Sequence, residues 1–301
     1  MATKSIGSRA VVLVPYLWLA FFFLVPFLIV VKISLSHDVV AQPPYRPLLD
    51  LTAGWDGVRA FLSELDFANY ALVLTDAFYI ESYLQSLWIA AVSTVLLLLV
   101  GYPIAYAIAR ASANWRPLLV LLVILPFWTS FLIRVYAWIG ILSREGYLNQ
   151  ALMGLGLIAE PLEILATNKA VYFGIVYTYL PFMVLPLYAV LEKLDETLLE
   201  AAADLGATPI RAFWQVTFPL SLPGVVAGSL LCFIPAVGEF VIPDLLGGSE
   251  TLMIGKTLWT EFAVNRSWTV SAAVAVLLLT VLVAPILFYQ RQQARAIEGS
   301  R

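Results

Sequence analysis

Six apolar segments, each long enough to cross a lipid bilayer, dominate this sequence. A helix rises 1.5 Å per residue, so about 20 apolar residues span a hydrocarbon core of roughly 30 Å. Of the 301 residues, 61% are hydrophobic and only 12% are charged, which is more apolar than an ordinary soluble domain. The segments also lack the alternation of a membrane β-barrel. The pattern predicts an all-α integral membrane protein with six transmembrane helices, near Val11–Ile33, Tyr83–Ala109, Leu118–Leu142, Ala170–Leu191, Leu222–Leu246 and Thr269–Tyr289.

The basic residues between these segments predict the orientation of the chain. The first apolar stretch exceeds the 7–15 residues or so of a signal-peptide core, so we expect an uncleaved first span. Basic residues are modestly enriched on the side that holds both ends, which is the cytoplasmic side by the positive-inside rule. We therefore expect both termini in the cytoplasm. The basic residues on that side are Lys4, Arg9, Arg110, Arg116, Lys193, Arg211, Arg291, Arg295 and Arg301.

We divide the chain into three parts. Residues 1–82 hold the first span and an acidic outer loop, residues 83–289 form a core with five spans, and residues 290–301 are a cytoplasmic tail. The acidic loop (residues 34–82) has seven acidic residues and two arginines, hence five net negative charges. Such a loop either concentrates cations or is an ordinary solvated loop that docks a partner. The chain has a single cysteine, Cys232, which excludes a disulfide within the chain and a cysteine-based metal site. Its single histidine, His37, adds no second ligand.

The most specific pattern lies between the fourth and fifth segments, in residues 192–219. Leucines at helical spacing, three alanines, and Gly206 followed by Thr208-Pro209 predict two short helices joined by a turn. The loop resembles the EAA loop of bacterial ABC importer permeases, whose pattern is EAA, three residues, G, nine residues, then I-x-L-P. The matching residues are Glu200-Ala201-Ala202, Gly206 and Val216-Thr217-Phe218-Pro219.

This resemblance implies the type I ABC importer permease fold, with six transmembrane helices. It also implies that a coupling helix seats in a groove of a separate ATPase subunit. The chain itself would then bind no cofactor, and the partner ATPase would use ATP and Mg. The alternative, an amphipathic helix lying on lipid headgroups, is disfavoured because acidic residues prevail in the loop. The residues implied to couple to the ATPase are Glu200, Ala201, Ala202, Gly206 and Pro219.

Further stretches resemble the first permease subunit of bacterial spermidine/putrescine importers, with the putrescine branch most similar. They lie at residues 86–105, 125–134 and 238–248. The resemblance implies polyamine import across the bacterial inner membrane by an assembly that contacts membrane lipid and no nucleic acid. Its other members would be a second permease subunit, two ATPase subunits and a periplasmic substrate-binding protein. The residues leave open putrescine or spermidine, another solute such as iron(III) or an oxyanion, and an ion-coupled secondary transporter or channel.

One short motif imitates a nucleotide-binding loop. Gly255-Lys256-Thr257 matches the end of G-x-x-x-x-G-K-[ST], but Glu250 stands where the first glycine is required. A carboxylate at that position would repel phosphate. The spans also contain no paired carboxylates, triad or metal cluster, so we expect a transport subunit and not an enzyme.

Three ionisable residues within the apolar segments are candidates for a pathway or gate: Arg134, Glu239 and Asp244. Such residues are costly in a membrane and usually face a bundle interior or water. Helical rise places Arg134 and Glu239 at similar depth, so we expect an ion pair that makes Glu239 structural; unpaired, it would receive a substrate ammonium. Asp244 is either a vestibule carboxylate or a helix-end charge. Aromatic residues can add cation–π attraction but are more often anchors: Trp128, Tyr136, Trp138, Tyr177 and Tyr179.

Overall fold

The structure is a computed structural model that describes residues 6–50 and 52–298. Regular structure in these residues is helical apart from one short antiparallel pair, β1 (His37–Asp38) with β2 (Tyr45–Arg46). Between its two ends, a helix satisfies its backbone N–H and C=O groups within one segment, which hydrocarbon surroundings require. The α-helices are α1 (Ile6–Leu19), α2 (Val25–Ser34), α3 (Gly54–Ser63), α4 (Ala68–Thr75), α5 (Ala77–Arg110), α6 (Arg116–Ile124), α7 (Phe131–Leu142), α8 (Tyr147–Gly154), α9 (Asn168–Leu191), α10 (Thr197–Asp204), α11 (Pro209–Ala212), α12 (Phe218–Val237), α13 (Val241–Leu245), α14 (Ile254–Trp259) and α15 (Trp268–Glu298).

Tighter and wider helical turns occur within this series. A 3-10 turn, Leu125–Trp128, follows α6. Two π-helical turns in the described residues, Ala20–Leu24 and Phe213–Thr217, join consecutive helices, and a third, Thr260–Val264, continues α14. Because a π turn holds one extra residue per turn, it changes which side chains face a neighbouring helix.

All six predicted segments fall on helices, but they are not six straight spans. Four described helices are each long and apolar enough to cross a bilayer: Leu13–Ser34, Ala77–Arg110, Asn168–Leu191 and Pro209–Val237. These overlap the first, second, fourth and fifth predicted segments. The sixth segment, Thr269–Tyr289, lies within the 31-residue helix α15.

The third predicted span, Leu118–Leu142, is broken. Arg116–Trp128 and Phe131–Gly154 meet at a bend of 90°, and Thr129 between them is extended. Pro126 lies in the 3-10 turn that ends the first half, and a proline neither donates a backbone hydrogen bond nor tolerates a full α-helical turn before it. The expectation of one straight helix is therefore wrong at residues 129–130.

The fifth predicted span, Leu222–Leu246, is interrupted as well. α12 ends at Val237, and the chain restarts as the short helix α13 after Gly238, Glu239 and Phe240. Hydropathy does not indicate this break, because the residues after it are as apolar as those before it. Asp244 consequently lies on a separate short helix and not at the end of a span.

The described residues form two compact units. One comprises the described parts of 1–80 and 257–301, and the other comprises 81–256. In the first unit, α15 packs along α2 and α4. The side-chain amide of Asn69 donates to the carbonyls of Ser34 (2.9 Å) and Ser36 (2.8 Å), and Ser267 Oγ donates to Asp38 Oδ2 at 2.5 Å. The acidic loop is thus folded onto helices of its own unit.

Several carboxylates of the acidic loop serve this fold. Asp66 Oδ1 accepts from the N–H of Ala68 at 2.9 Å, and Asp76 Oδ1 accepts from that of Phe78 at 2.9 Å. Both bonds lie at helix N-termini, where acidic side chains are favoured. Hydrogen bonds from Thr52, chiefly its hydroxyl, lower the pKa of Asp50. Part of the negative charge in this loop therefore has a local structural use.

In the second unit, α9 and α12 form the main helix pair. A Cβ atom at Gly228 on α12 would lie only 2.9 Å from Sδ of Met183 on α9, and Met183 is fully buried. Small residues let membrane helices approach closely and gain packing energy that the hydrophobic effect does not supply there. The same two helices are connected by residues 192–219, so their packing positions the loop described next.

Candidate functional site: the EAA loop and two helix breaks

The EAA loop (residues 192–219) joins the C-terminus of α9 to the N-terminus of α12. It contains α10 and α11, which confirms the predicted pair of short helices. At the start of α10, Asp195 Oδ1 accepts a hydrogen bond from the N–H of Thr197 at 3.0 Å. This bond favours the charged carboxylate and lowers the pKa of Asp195. The loop therefore begins with a fixed anionic helix cap.

Gly206 makes the turn between the two helices. Its φ of +82° lies in the left-handed region. The N–H of Ala207 donates to Ala202 O at 2.9 Å, and the N–H of Gly206 donates to Ala203 O at 2.8 Å, which is the Schellman arrangement of a helix end. Left-handed backbone costs a residue with a side chain about 1–2 kcal/mol. The turn favours glycine for its backbone angle and not for lack of room, because the space around a Cβ there is open.

Two ion pairs connect the start of the EAA loop to neighbouring helix ends. Arg110 Nη1, at the end of α5, lies 2.6 Å from Glu196 Oε1. Arg116 Nη1, at the start of α6, lies 3.4 Å from Glu192 Oε1, and its Nε donates to Ala111 O at 2.9 Å. Such partly exposed pairs contribute about 1 kcal/mol or less each. Their importance is geometric, since they tie the loop to helices other than the two it joins.

The EAA loop also exposes large apolar side chains. Leu205, Ile210 and Trp214 are 89%, 74% and 59% exposed. Of the motif residues, Glu200 and Ala201 are exposed and Ala202 is half-buried. Ile210 and Trp214 lie on the apolar helix Pro209–Val237, where lipid can cover them, whereas Leu205 lies at the turn before that helix, where an exposed apolar side chain suits contact with another protein.

The end of the EAA loop is fixed where it enters α12. Pro219 lies in the first turn of that helix, where a missing N–H breaks no intrahelical bond. The preceding turn is π-helical, with the N–H of Phe218 donating to Phe213 O. Tyr102 of α5 packs edge-on against Phe213, with 5.5 Å between ring centres, and its hydroxyl lies 2.8 Å from Ser221 Oγ. A displacement of the loop would therefore be transmitted to α12.

Arg134 lies one turn beyond the break in the third span. Its Nη1 donates to Pro126 O at 2.9 Å, and its guanidinium lies 5.3 Å from the centre of the Phe127 ring. The same carbonyl accepts from Thr129 Oγ1 at 2.8 Å. Carbonyls at a helix C-terminus lack intrahelical partners and carry partial negative charge. Arg134 thus caps the first half of the broken span.

Glu239 occupies the break between α12 and α13 and is only 9% exposed. The hydroxyl of Tyr179 donates to its Oε2 at 2.7 Å. Its Oε1 faces the backbone N–H groups of residues 240, 241 and 242, at 3.1, 3.0 and 3.4 Å. These groups start α13 and carry partial positive charge. Glu239 is therefore the N-terminal cap of a short buried helix.

The predicted ion pair between Arg134 and Glu239 is wrong. In the described part of the chain, the ion pairs within 4.0 Å join other residues. Each charged side chain instead hydrogen-bonds backbone groups at its own helix break. An unpaired backbone group in hydrocarbon costs roughly several kcal/mol, so it must find a partner nearby. Whether either residue borders the substrate path stays a prediction.

Asp244 lies on α13 with its side chain 52% exposed, and its Oδ1 is 3.7 Å from Lys256 Nζ. Lys256 belongs to the motif that imitates a nucleotide-binding loop. The glycine of that motif, Gly255, has a packing reason: a Cβ there would collide with the carbonyl oxygens of Gly238 and Glu239, the latter at 2.7 Å. The motif therefore holds a helix against the break after α12.

Sequence reasoning missed the partners of these residues. The sequence presents Tyr179 only as an aromatic residue, and no pattern links it to Glu239, 60 positions away. In the sequence, Arg110 and Arg116 indicate only the topology of the chain. Lys256 did carry a usable signal, since it is the sole basic residue between Arg211 and Arg266. A lone cation among apolar residues needs a carboxylate nearby.

Comparison with known proteins identifies the family. Residues 101–298 match the family described as binding-protein-dependent transport system inner membrane component. The spermidine/putrescine transport system permease protein PotB of Haemophilus influenzae is 40% identical over 281 residues, covering 93% of this chain and 92% of the relative. PotB of Escherichia coli K12 is 45% identical over 223 residues, covering 74% and 81%. The molybdenum transport system permease protein ModB of Mycobacterium bovis is 33% identical, covering 75% and 84%.

Solved structures share the fold at low sequence identity. A chain of a bacterial ABC transporter involved in the import of the acidic polysaccharide alginate aligns with a TM-score of 0.68 and 16% identity, covering 95% of this chain and 94% of that one. A chain of the MetNI methionine ABC transporter, in an inward-facing conformation, aligns with a TM-score of 0.54 and 20% identity, covering 73% and 96%. These likenesses confirm the predicted type I importer permease fold. The chain is a transport subunit, and it belongs to the family of inner membrane components of binding-protein-dependent transport systems.

Proposed function

We propose that this chain is one of two permease subunits of an ATP-driven importer of polyamines, either putrescine or spermidine. The observation that carries the proposal is the 40% identity to a spermidine/putrescine permease over 93% of the chain. The molybdenum permease is less similar, at 33% identity over a shorter part of the chain. The substrate class therefore follows the more similar relatives.

In this proposal the EAA loop binds an ATPase subunit, which uses ATP and Mg, while the chain itself binds no cofactor. The exposed side chain of Leu205, which lies outside the apolar helix Pro209–Val237, supports a protein partner on this surface. Two ATPase subunits would serve two permease subunits, and a periplasmic binding protein would deliver the substrate. Both termini of the chain would lie in the cytoplasm, on the side of the EAA loop.

The broken helices would border the pathway. Interrupted helices in transporters commonly line the substrate path, since irregular backbone in a membrane is tolerated where it faces protein or water. Arg134 and Glu239 would shape the path indirectly, by stabilising the helix ends at the two breaks. Asp244 is the better candidate to meet a substrate ammonium, because its side chain is half exposed whereas Glu239 is buried among four donors.

Reconstitution tests the proposal. The chain is assembled in proteoliposomes with its second permease, its ATPase and its binding protein, and ATP hydrolysis and uptake are measured with each substrate. We expect putrescine or spermidine to stimulate both activities, and iron(III) or molybdate to stimulate neither. Stimulation by the iron or oxyanion substrate would refute the polyamine assignment. Uptake by this chain alone, driven by an ion gradient without ATP, would refute the importer mechanism.

A further inference from the structure

Lys256 and Asp244 form a loose ion pair next to the break after α12. Their closest charged atoms, Nζ and Oδ1, are 3.7 Å apart. A charge-assisted hydrogen bond would bring them to about 2.7–2.9 Å. The side chain of Asp244 is 52% exposed and that of Lys256 is 28% exposed. The carboxylate therefore keeps an open side that a second cation can approach.

The backbone that carries Lys256 is firmly held. The N–H of Ile254 donates to Ser86 Oγ at 2.6 Å, and Gly255 lies against the carbonyls of Gly238 and Glu239. Ile254 and Gly255 are buried, and Met253 before them is fully buried. Lys256 thus reaches Asp244 from a fixed first turn of α14, through the four-carbon stem of its side chain.

The two carboxylates at this break differ in what they can accept. The carboxylate of Glu239 already accepts hydrogen bonds from a tyrosine hydroxyl and three backbone N–H groups. Asp244 is held by an ammonium at 3.7 Å. The ammonium of lysine is a primary alkylammonium, the same chemical group that ends a polyamine. An arriving polyamine can therefore replace Lys256 at Asp244 without changing the kind of interaction made there.

We propose that Lys256 is a built-in competitor for the substrate ammonium: it holds Asp244 when substrate is absent and is displaced when substrate passes. The inference rests on the proposed polyamine import. It has a functional reason, because a conducting site must bind its cation strongly enough for entry and weakly enough for release. Lys256 keeps the affinity of Asp244 low and leaves no unpaired carboxylate in the path between transport cycles.

Spermidine binding to the purified transporter tests this. The full complex in detergent, without ATP and without the binding protein, is titrated with radiolabelled spermidine. We expect Lys256→Gln to bind spermidine about three- to fivefold more tightly than wild type, as loss of a partly exposed competing ion pair allows. Lys256→Arg keeps a cation and should bind within about twofold of wild type, on the same reasoning. Adding Asp244→Asn to Lys256→Gln should abolish the gain.

Each result of the spermidine titration either supports or contradicts the proposed competition by Lys256. Unchanged or weaker spermidine binding by Lys256→Gln, in a complex that still imports polyamine, overturns the inference and leaves the proposed function intact. A wild-type complex that imports no polyamine overturns both. If Lys256→Gln does not assemble, Lys256→Met is titrated in its place. Failure of both variants to assemble would make the pair a structural requirement and would also overturn the inference.

Discussion

The EAA loop and the break after α12 both interrupt the helical chain, but they satisfy their helix ends by opposite means. In the EAA loop, the end of α10 is closed by backbone hydrogen bonds around Gly206. At the buried break, the start of α13 is closed by the carboxylate of Glu239. The exposed interruption keeps Glu200 accessible, whereas the buried one uses its glutamate for the fold.

The difference teaches how to interpret charges in a membrane protein. An ionisable residue within a span is often taken as a pathway residue, because burying a charge is costly. Here that cost is offset by backbone groups that a helix break leaves unpaired. Arg134 at Pro126 O follows the same rule with opposite sign. A buried charge beside a helix break is first a candidate cap, and a half-exposed charge such as Asp244 is the better candidate ligand.

Removing the buried cap should have the largest effect on stability. Glu239→Ala leaves the start of α13 and the Tyr179 hydroxyl without their acceptor, so we expect the free energy of unfolding to fall by about 3 kcal/mol. Glu239→Gln keeps the shape and one acceptor oxygen and should lose roughly half as much. Thermal unfolding of the complex in detergent, followed by tryptophan fluorescence, measures both.

The same variants separate a cap from a substrate ligand. A ligand role predicts that Glu239→Gln abolishes uptake while the unfolding temperature stays that of wild type. Tyr179→Phe is the matched control, because it removes one donor to Glu239 and leaves the carboxylate in place. We expect it to lower stability by about 1 kcal/mol. If it does not, the hydroxyl contributes nothing to the buried cap.

The sequence predicted the EAA loop more completely than the buried breaks. The loop contains local signals for its helix ends, since Gly206 marks the end of one helix and Thr208-Pro209 marks the start of the next. Its two helices and the position of its turn followed from local chemistry. The family fold followed from the same motif.

The breaks were hidden because their causes are not local. Pro126 is one of many prolines within the apolar segments, and most of the others lie inside continuous helices, as Pro103 does in α5. The break after Val237 depends on an acceptor for α13, and Tyr179 supplies part of that site from another helix. Helical rise placed Arg134 and Glu239 at similar depth but could not show which backbone groups each would meet.

Replacing Gly206 at the exposed turn should have an intermediate effect on stability and a large effect on the coupling of ATP hydrolysis to import. Gly206→Leu forces a side chain into φ +82°, which costs about 1–2 kcal/mol. The strain favours a different end to α10 and shifts the surface proposed to meet the ATPase. We expect the reconstituted complex to hydrolyse ATP with its import reduced at least fivefold, on the order of 1 kcal/mol of coupling.

Gly206→Asn is the control for this turn, because asparagine tolerates the left-handed region better than other residues with side chains. It should retain most of the import activity. If leucine and asparagine impair import equally, side-chain bulk and not the backbone angle is responsible, and the contrast with the buried break would lose its basis. Normal import by Gly206→Leu would argue against any coupling role for the turn.

The ion pair between Arg110 and Glu196 should give the smallest effect. The side chain of Glu196 is 69% exposed, so Arg110→Gln should change the free energy of unfolding by less than about 1 kcal/mol. If the pair transmits motion from the EAA loop to α5, import per ATP hydrolysed should fall by about two- to fivefold in Arg110→Glu alone and in Glu196→Arg alone. A coupling energy of about 1 kcal/mol or less allows a change of this size. The charge-exchanged double variant, Arg110→Glu with Glu196→Arg, should recover much of the loss. Additive losses in the double variant would show that the two side chains act separately, and the loop would then move α12 without this link to α5.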